Sequence, residues 1–199
     1  MAQPAKTLRE TPSQTAGPYV HIGCVPSYAG LDGIYPGDLG QYPISQGARG
    51  ELIEIVGSVF DGAGCPMHDV LLESWQADAA GIFPGLPSAD PAVSGFGRFA
   101  VSLDSSEFKL KTVKPGRVAM RDRRVQAPHI ALWIMARGIN LALATRLYFP
   151  DEDNRGDPLL SRIEQPARAE TLIAQPVQKG RYRFDIRIQG PDETVFLDI

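Results

Sequence analysis

The sequence predicts an all-β protein: an antiparallel β-sandwich with a long irregular N-terminal segment, long loops and one or two short helices. Three observations support this prediction. Short runs of apolar and β-branched residues recur along the chain, and the 20 Gly and 17 Pro of its 199 residues lie mostly between them. Helical spacing of apolar residues is confined to two short stretches, 157–163 and 167–172. An up-and-down barrel is the weaker alternative.

The strand-like runs begin after residue 50. The first, 51–60, is rich in β-branched residues and ends in the turn sequence Asp61-Gly62-Ala63-Gly64. The second, 70–77, follows so closely that we expect the two to be neighbouring antiparallel strands. Apolar and charged residues alternate strictly in 181–189, as in a half-buried strand. The other predicted strands are 98–103, 108–113, 129–136, 141–149 and 194–198.

The sequence divides into an irregular N-terminal arm, 1–50, and a β-sandwich, 51–199. Gly and Pro recur every few positions from Thr11 to Gly50. An irregular segment of this length usually wraps over a core or reaches a partner. Residues 81–97 form a second Gly- and Pro-rich loop.

Composition excludes several classes of protein. A hydrophobic content of 43% argues against intrinsic disorder, and a net charge of −3 gives no basic surface for nucleic acid. No apolar stretch reaches the length of a membrane span, and the opening MAQPAKTLRE lacks the apolar core of a signal peptide. Two cysteines cannot build a disulfide framework. We therefore expect a cytoplasmic protein that binds neither nucleic acid nor membrane.

Metal ligands are scarce in this sequence. The three histidines, His21, His68 and His129, are scattered and form neither an H-x-H nor an H-E-x-x-H pattern. His129 opens an apolar strand, and alternation places it on one face with Ala131. A metal site there would need a second imidazole at position 131, so the residues alone favour a structural, hydrogen-bonded His129.

Arg137 ends the same strand, just before Gly138. It is either a surface or interface arginine in ion pairs, or a fixed cation for an anionic substrate. Eight residues at about 3.3 Å each separate it from His129 by roughly 26 Å. The two side chains therefore cannot line one small-molecule site within this chain.

Six segments together resemble the intradiol ring-cleaving dioxygenases over almost the whole chain. The first segment and A-R-G-I-N resemble in particular the α chain of heteromeric members. The segments are TPSQTAGPYVHIG (11–23), FDGAGCPMHDVLLESWQADAAGIF (60–83), TVKPG (112–116), APHIALWIMARGIN (127–140), TRLYFPDE (145–152) and YRFDIRIQGPDETVFLDI (182–199).

The resemblance implies a β-sandwich fold and a vestigial metal site. The catalytic chain of the family holds ferric iron with two tyrosines and two histidines, and these positions match Phe83, Val118, His129 and Ala131. An arginine of that chain matches Gln126. Phenylalanine, valine and alanine offer no donor to ferric iron. The resemblance therefore implies no metal site in this chain and Fe(III) bound by a homologous partner β chain.

The resemblance also implies a substrate pocket shared with that partner. The matching residues here are Thr15, Gly17, Pro18, Tyr19 and Arg137, with Tyr19 and Arg137 contributing to catalysis. Gly17-Pro18 would let backbone approach an aromatic ring, Tyr19 would offer an apolar face with a hydroxyl, and Arg137 would attract a carboxylate beside the short polar Thr15.

The implied activity is cleavage of 3,4-dihydroxybenzoate with O₂ to 3-carboxy-cis,cis-muconate, in the β-ketoadipate pathway of aromatic catabolism. The arm 1–50 would contact the partner and form part of the active-site wall. The implied assembly is a large hetero-oligomer of αβ protomers.

Two other functions remain open at this point. One is a self-sufficient intradiol enzyme with other ligands, such as His21, Tyr28 or Tyr35. The other is a stand-alone β-sandwich that binds or carries a ligand.

Overall fold

The computed structural model describes residues 12–17 and 19–198. Within them the chain forms twelve β-strands, two short α-helices and two 3₁₀ turns, which confirms the all-β prediction. The helices are α1 (Tyr19–Cys24) and α2 (Pro166–Ala169), and the 3₁₀ turns are Leu160–Arg162 and Glu170–Leu172. The strands are β1 (Leu52–Gly57), β2 (Val59–Phe60), β3 (Val70–Trp75), β4 (Phe96–Ala100), β5 (Phe108–Val113), β6 (Val118–Ala119), β7 (Val125–Gln126), β8 (His129–Ala136), β9 (Leu143–Tyr148), β10 (Gln175–Gln178), β11 (Arg181–Arg183) and β12 (Ile186–Arg187).

Two four-stranded sheets form the sandwich, in the orders β10-β11-β1-β5 and β4-β3-β8-β9. Two smaller pairs, β2–β12 and β6–β7, extend it. Neighbouring strands are antiparallel except in the pairs β1–β11 and β2–β12, which are parallel. A parallel pair requires a long connection, and here most of the chain separates the two strands of each pair.

The predicted pairing of the first two strand runs is wrong. β1 pairs with β5 and β11, whereas β3 pairs with β4 and β8 in the other sheet. The turn at 61–64 does form, but only Phe60 bridges Pro66 before the chain crosses between the sheets. Each run carries its own buried apolar face, so the two runs pack face to face across the core.

The hydrophobic core lies between the two four-stranded sheets. Alternation in β8 directs Ile130, Leu132, Ile134 and Ala136 into it, and the other face carries the intervening side chains. The predicted apolar face of 181–189 is confirmed, because its alternate residues from position 182 pack into or against this core. The single strand predicted there is wrong, since the run divides into β11 and β12, which pair in different sheets. Large core side chains from both sheets include Ile53, Ile55, Leu72, Phe108, Leu147, Phe149, Tyr182 and Phe184.

Three local predictions need correction. The strand predicted at 194–198 does not form. In its place a single bridge joins Leu197 to Ala144 on β9. The two predicted helical stretches shorten to the 3₁₀ turn Leu160–Arg162 and to α2 with the 3₁₀ turn after it, since each is too short to sustain a longer helix. The helix α1 lies in a Gly- and Pro-rich stretch where no helix was expected.

Backbone hydrogen bonds fasten the N-terminal arm to the second sheet. Arg98 N on β4 donates to Gly40 O, and Ser94 N donates to Pro43 O. Gly40 has φ +80°, and a Cβ there would lie 2.7 Å from Arg98 N, so both its conformation and this close contact require glycine. No helix among the described residues is long and apolar enough to cross a membrane.

Candidate functional site

Arg137 lies at the exposed end of β8. Its Nε is 3.2 Å from an Asp69 carboxylate oxygen, and its side chain is 79% exposed. An ion pair between two side chains this exposed contributes little to stability, because water competes for both charges. The ion pair agrees with the first of the two interpretations of Arg137, a surface arginine, and it leaves the guanidinium accessible to solvent.

Thr15 ties the N-terminal segment to the same end of β8. Its hydroxyl oxygen accepts a hydrogen bond from Gly138 N at 2.8 Å and donates to Ala136 O at 3.3 Å. These two residues flank Arg137 in the sequence. The hydroxyl is thus already engaged by backbone groups, so the geometry gives Thr15 a positioning role beside Arg137.

Gly17 and Tyr19 lie further along this segment and are open to their surroundings. No atom approaches within 4 Å of the place where a Cβ of Gly17 would stand. Tyr19 begins α1 and its side chain is 80% exposed. Pro18 lies outside the described residues. The structure thus brings Thr15 next to Arg137 and leaves Gly17 and Tyr19 accessible on the same segment.

The positions that match iron ligands lie toward the opposite end of β8. Phe83 stacks on Trp75, with ring centroids 6.0 Å apart and planes within 5° of parallel. Val118 is buried on β6, where it pairs with Gln126 on β7. Ala131 projects from β8 on the same face as His129. Three of the four positions therefore carry apolar side chains, which offer no donor to a metal ion.

His129 is the one potential donor among these four positions. It is 5% exposed, and its Nδ1 donates to Ala127 O at 2.7 Å. Burial, followed by the positive charge of Arg146, lowers the pKa of His129 to about 4, so the imidazole is neutral at pH 7.

These residues do not fit ferric iron, because one imidazole without anionic oxygen donors cannot hold it. Among residues 12–17 and 19–198, no three His, Cys, Asp or Glu side chains come together as a metal-binding group.

A buried carboxylate supports the structure beneath this end of the strand. Asp157 is fully buried and accepts hydrogen bonds from Ala127 N, Leu159 N, Leu160 N and the Tyr148 hydroxyl, at 2.8 to 3.1 Å. Burial and the nearby carboxylate raise the pKa of Tyr148. The network fixes the loop after β9 to the start of β8, and it performs a structural task.

The sequence reasoning missed Arg146 on β9. Its Nη1 donates to Gln126 Oε1 at 2.6 Å, and its cross-strand neighbour on β8 is Ala131. A guanidinium therefore lies beside Gln126, the position where the family pattern has an arginine, but it comes from a different strand. The sequence does contain a signal for it, because Arg146 is the one charged residue of β9.

The alternative ligand set is only partly brought together. The rings of His21 and Tyr28 lie 5.1 Å apart, and the Tyr28 hydroxyl donates to His68 O at 3.3 Å. Burial and the charge of Asp69 raise the pKa of Tyr28, which opposes tyrosinate formation. Tyr35 is exposed to solvent.

Comparison with known proteins identifies relatives of this chain. The chain is 48% identical over 200 residues to the protocatechuate 3,4-dioxygenase alpha chain of Pseudomonas putida, covering 98% of this chain and 99% of that one. It is 41% identical over 203 residues to the alpha chain of Burkholderia cepacia, covering 97% and 99%. The beta chain of Burkholderia cepacia is 29% identical over 160 residues, covering 73% of this chain and 67% of that one.

A solved structure and a family model complete the comparison. The dioxygenase domain of a carbohydrate-binding fusion protein from Streptomyces sp. SirexAA-E superposes with a TM-score of 0.55 at 24% identity, covering 78% of this chain and 88% of that one. At that identity the likeness shows the fold alone. The family model described as "Dioxygenase" matches residues 37–190. The chain therefore belongs to the dioxygenase family that also contains the protocatechuate 3,4-dioxygenase alpha chains.

Proposed function

We propose that this chain is the α subunit of a heteromeric protocatechuate 3,4-dioxygenase. The assembly would cleave 3,4-dihydroxybenzoate with O₂ to 3-carboxy-cis,cis-muconate. The observation that supports the proposal is that Phe83, Val118 and Ala131, at the positions that the resemblance matches to iron ligands, carry apolar side chains with no donor to ferric iron. The identity to two alpha chains over nearly the full length supports the same assignment.

In this proposal Fe(III) belongs to a homologous β chain and supplies the ring-opening chemistry there. The residues of this chain bind and orient the substrate and exclude water from it. The likeness to a beta chain at 29% identity supports a partner of the same fold. The partner's iron would lie near the Arg137 end of β8, because the proposed substrate-binding residues are there. The His129 end is too far away to contact the same small molecule.

Arg137 provides the charge in the proposed pocket. Its exposed guanidinium would attract the carboxylate of the substrate. In the absence of substrate the guanidinium is paired with Asp69, which the substrate carboxylate would displace. Thr15 would fix the N-terminal segment beside it through its two backbone hydrogen bonds. The substrate ring would lie against Gly17, Pro18 and Tyr19, where open space at Gly17 lets the backbone approach an aromatic face.

The arm 1–50 would form the wall of this pocket and contact the partner. Its exposed apolar side chains support that role, because contact with a second chain would remove them from water. Among the described residues of the arm they are Tyr19, Ile22, Leu31, Ile34, Tyr35, Leu39 and Tyr42. We propose a large hetero-oligomer of αβ protomers in the cytoplasm. Cys24 and Cys65 are free thiols, in keeping with a reducing compartment.

Co-expression with a related β chain tests the proposal. We expect this chain alone to be colourless and inactive, and the purified pair to cleave 3,4-dihydroxybenzoate. Activity and a tyrosinate-to-iron absorption band in the single chain would instead support a self-sufficient enzyme. A soluble monomer that binds no partner and leaves oxygenase activity unchanged would support a stand-alone binding module.

A further inference from the structure

Asp69 lies across from Arg137 because of the register between β3 and β8. In the ladder of these two antiparallel strands, Val70 is opposite Ala136. One step beyond that pair, Asp69 precedes β3 and Arg137 follows β8, so the two are cross-strand neighbours on one side of the sheet. Strand pairing therefore places a carboxylate beside the cation of the proposed substrate pocket.

The N-terminal arm also holds the backbone next to Asp69. The hydroxyl of Tyr28, in the turn after α1, donates a hydrogen bond to His68 O at 3.3 Å. Burial, followed by the charge of Asp69, raises the pKa of Tyr28, because the carboxylate lies near the phenol. Two elements, β3 and the arm, thus keep this carboxylate close to Arg137.

The ion pair between Arg137 and Asp69 is nevertheless a loose one. Its N···O distance of 3.2 Å exceeds the roughly 2.7–2.9 Å of a strong charge-assisted hydrogen bond, and both side chains are exposed. On the same sheet, Arg98 and Glu73 approach to 2.6 Å with both side chains largely buried. The exposed pair therefore opens at little cost and can form again.

Neither member of the pair has a second ionic partner in the part of the chain that the structure describes. Within those residues Arg137 has Asp69 as its one carboxylate, and Asp69 has Arg137 as its one cation. An anion that binds to Arg137 must therefore compete with Asp69 for the guanidinium.

The ligands of the proposed reaction differ in the number of their carboxylates. The substrate 3,4-dihydroxybenzoate carries one. The product 3-carboxy-cis,cis-muconate carries three, because cleavage of the bond between the two hydroxylated carbons, with both atoms of O₂ incorporated, converts each of these carbons to a carboxylate. Repulsion between Asp69 and a ligand increases with each carboxylate, so Asp69 disfavours the product more than the substrate.

We propose that Asp69 competes with the ligands of Arg137 and thereby promotes release of the tricarboxylate product. As the product leaves, Asp69 pairs again with the guanidinium, which lowers the affinity for the product more than that for the substrate. Asp69 acts through Arg137 and is a positioning residue. This inference rests on the proposed function, because it requires an αβ assembly that cleaves 3,4-dihydroxybenzoate.

Inhibition kinetics of an αβ assembly that carries Asp69→Asn test the proposal. Because the side chain is exposed, the amide should leave the fold intact while it removes the charge. We expect the inhibition constant of added 3-carboxy-cis,cis-muconate to fall by about tenfold and KM for 3,4-dihydroxybenzoate by about threefold. The inhibition constant of catechol, which carries no carboxylate, should stay within about twofold of the native value. Product inhibition that is unchanged or weaker, or equal changes for all three ligands, would overturn the proposal.

Two further variants test whether the charge acts through Arg137. Asp69→Glu keeps the charge, so its product inhibition should lie within about twofold of the native value. In an assembly that already carries Arg137→Ala, Asp69→Asn should change the inhibition constant of the product by less than about twofold, since the competition requires the guanidinium. An effect of full size without Arg137, or no recovery in Asp69→Glu, would contradict the proposal.

Asp153→Asn is the matched control, because Asp153 is also an exposed carboxylate and pairs with Arg155. It should leave the constants of all three ligands unchanged, and effects equal to those of Asp69→Asn would refute a specific role of Asp69. An assembly without ring-cleaving activity would refute the proposed function itself. Impaired kinetics in Arg137→Ala, together with native product inhibition in Asp69→Asn, would refute the role of Asp69 alone.

Discussion

The two ends of β8 differ in the burial of their polar side chains. At the His129 end the imidazole is buried and hydrogen-bonded to a backbone carbonyl, and a fully buried carboxylate fastens the neighbouring loop. At the Arg137 end a guanidinium stands in solvent beside one exposed carboxylate, and Thr15 brings a distant segment next to it. One end stabilises the fold, and the other exposes a guanidinium that, in the proposed function, binds the substrate.

The difference shows how burial decides the role of a polar residue. Burial lowers the pKa of His129 to about 4 and commits its Nδ1 to an internal bond, so the side chain holds the structure together. Arg137 loses little by leaving its exposed ion pair, so it can bind an anion. We therefore expect substitutions at the first end to change stability and substitutions at the second to change catalysis.

The largest effect should come from Asp157→Ala at the buried end. Three backbone N–H groups and the Tyr148 hydroxyl would lose their acceptor, which should lower the free energy of unfolding by about 3 kcal/mol. Urea denaturation of the purified chain measures it. The control is Asp153→Ala, at an exposed carboxylate, with an expected change below about 0.5 kcal/mol. Equal losses in the two variants would show that the network is not structural.

The pH dependence of stability should report His129. Its pKa is about 4 in the folded chain against 6.5 ordinarily, so the unfolded chain takes up the proton at higher pH. Stability from this residue is complete above about pH 6.5 and is lost as the pH falls toward 4. We expect a loss of about 2 kcal/mol between pH 7 and pH 5.

The matched variant for this prediction is His129→Gln, which cannot titrate. Its free energy of unfolding, measured at the same two pH values, should fall by about 2 kcal/mol less than that of the native chain. The same pH dependence in both proteins would mean that His129 is not buried in the neutral form.

At the exposed end, Arg137→Ala should impair catalysis in the αβ assembly. We expect kcat/KM for 3,4-dihydroxybenzoate to fall by about tenfold or more, equivalent to about 1.4 kcal/mol, with unchanged iron content. Steady-state kinetics and metal analysis measure both quantities. Arg155→Ala, at an arginine whose exposed ion pair lies elsewhere, is the control. Kinetics identical to the native assembly would refute the role of Arg137.

The smallest effect should be that of His129→Ala on catalysis. Because the imidazole is committed to Ala127 O at the end of β8 away from Arg137, we expect kcat/KM within about twofold of the native value. The measurement is made on the folded assembly at pH 7. A severe loss of activity with the fold retained would mean that the buried end participates in the reaction.

Local sequence patterns predicted those strands whose positions follow from the burial of one face. Alternation located β5 and β8 at their observed positions, because one face of each strand is buried. Pairing of β1 with β5 and β11 was not predictable, since two apolar runs adjacent in sequence fit equally well into one sheet or into two facing sheets.

The candidate site was likewise predictable only in part. Arg137 was predicted at a strand end, and the vestigial positions followed from the family pattern. The bond from Gly138 to Thr15 joins residues more than a hundred positions apart, so no local pattern reveals it. The bond between Gln126 and Arg146 depends likewise on how β6–β7 packs against β9.

Iron analysis tests the central claim most directly, because the claim is that the buried end of β8 holds no metal and the exposed end serves a partner that does. The measurement is the iron content of this chain alone and of the purified αβ assembly. The account predicts no iron in the single chain and one iron per αβ pair. Iron bound stoichiometrically to the single chain, or two irons per pair, would contradict it.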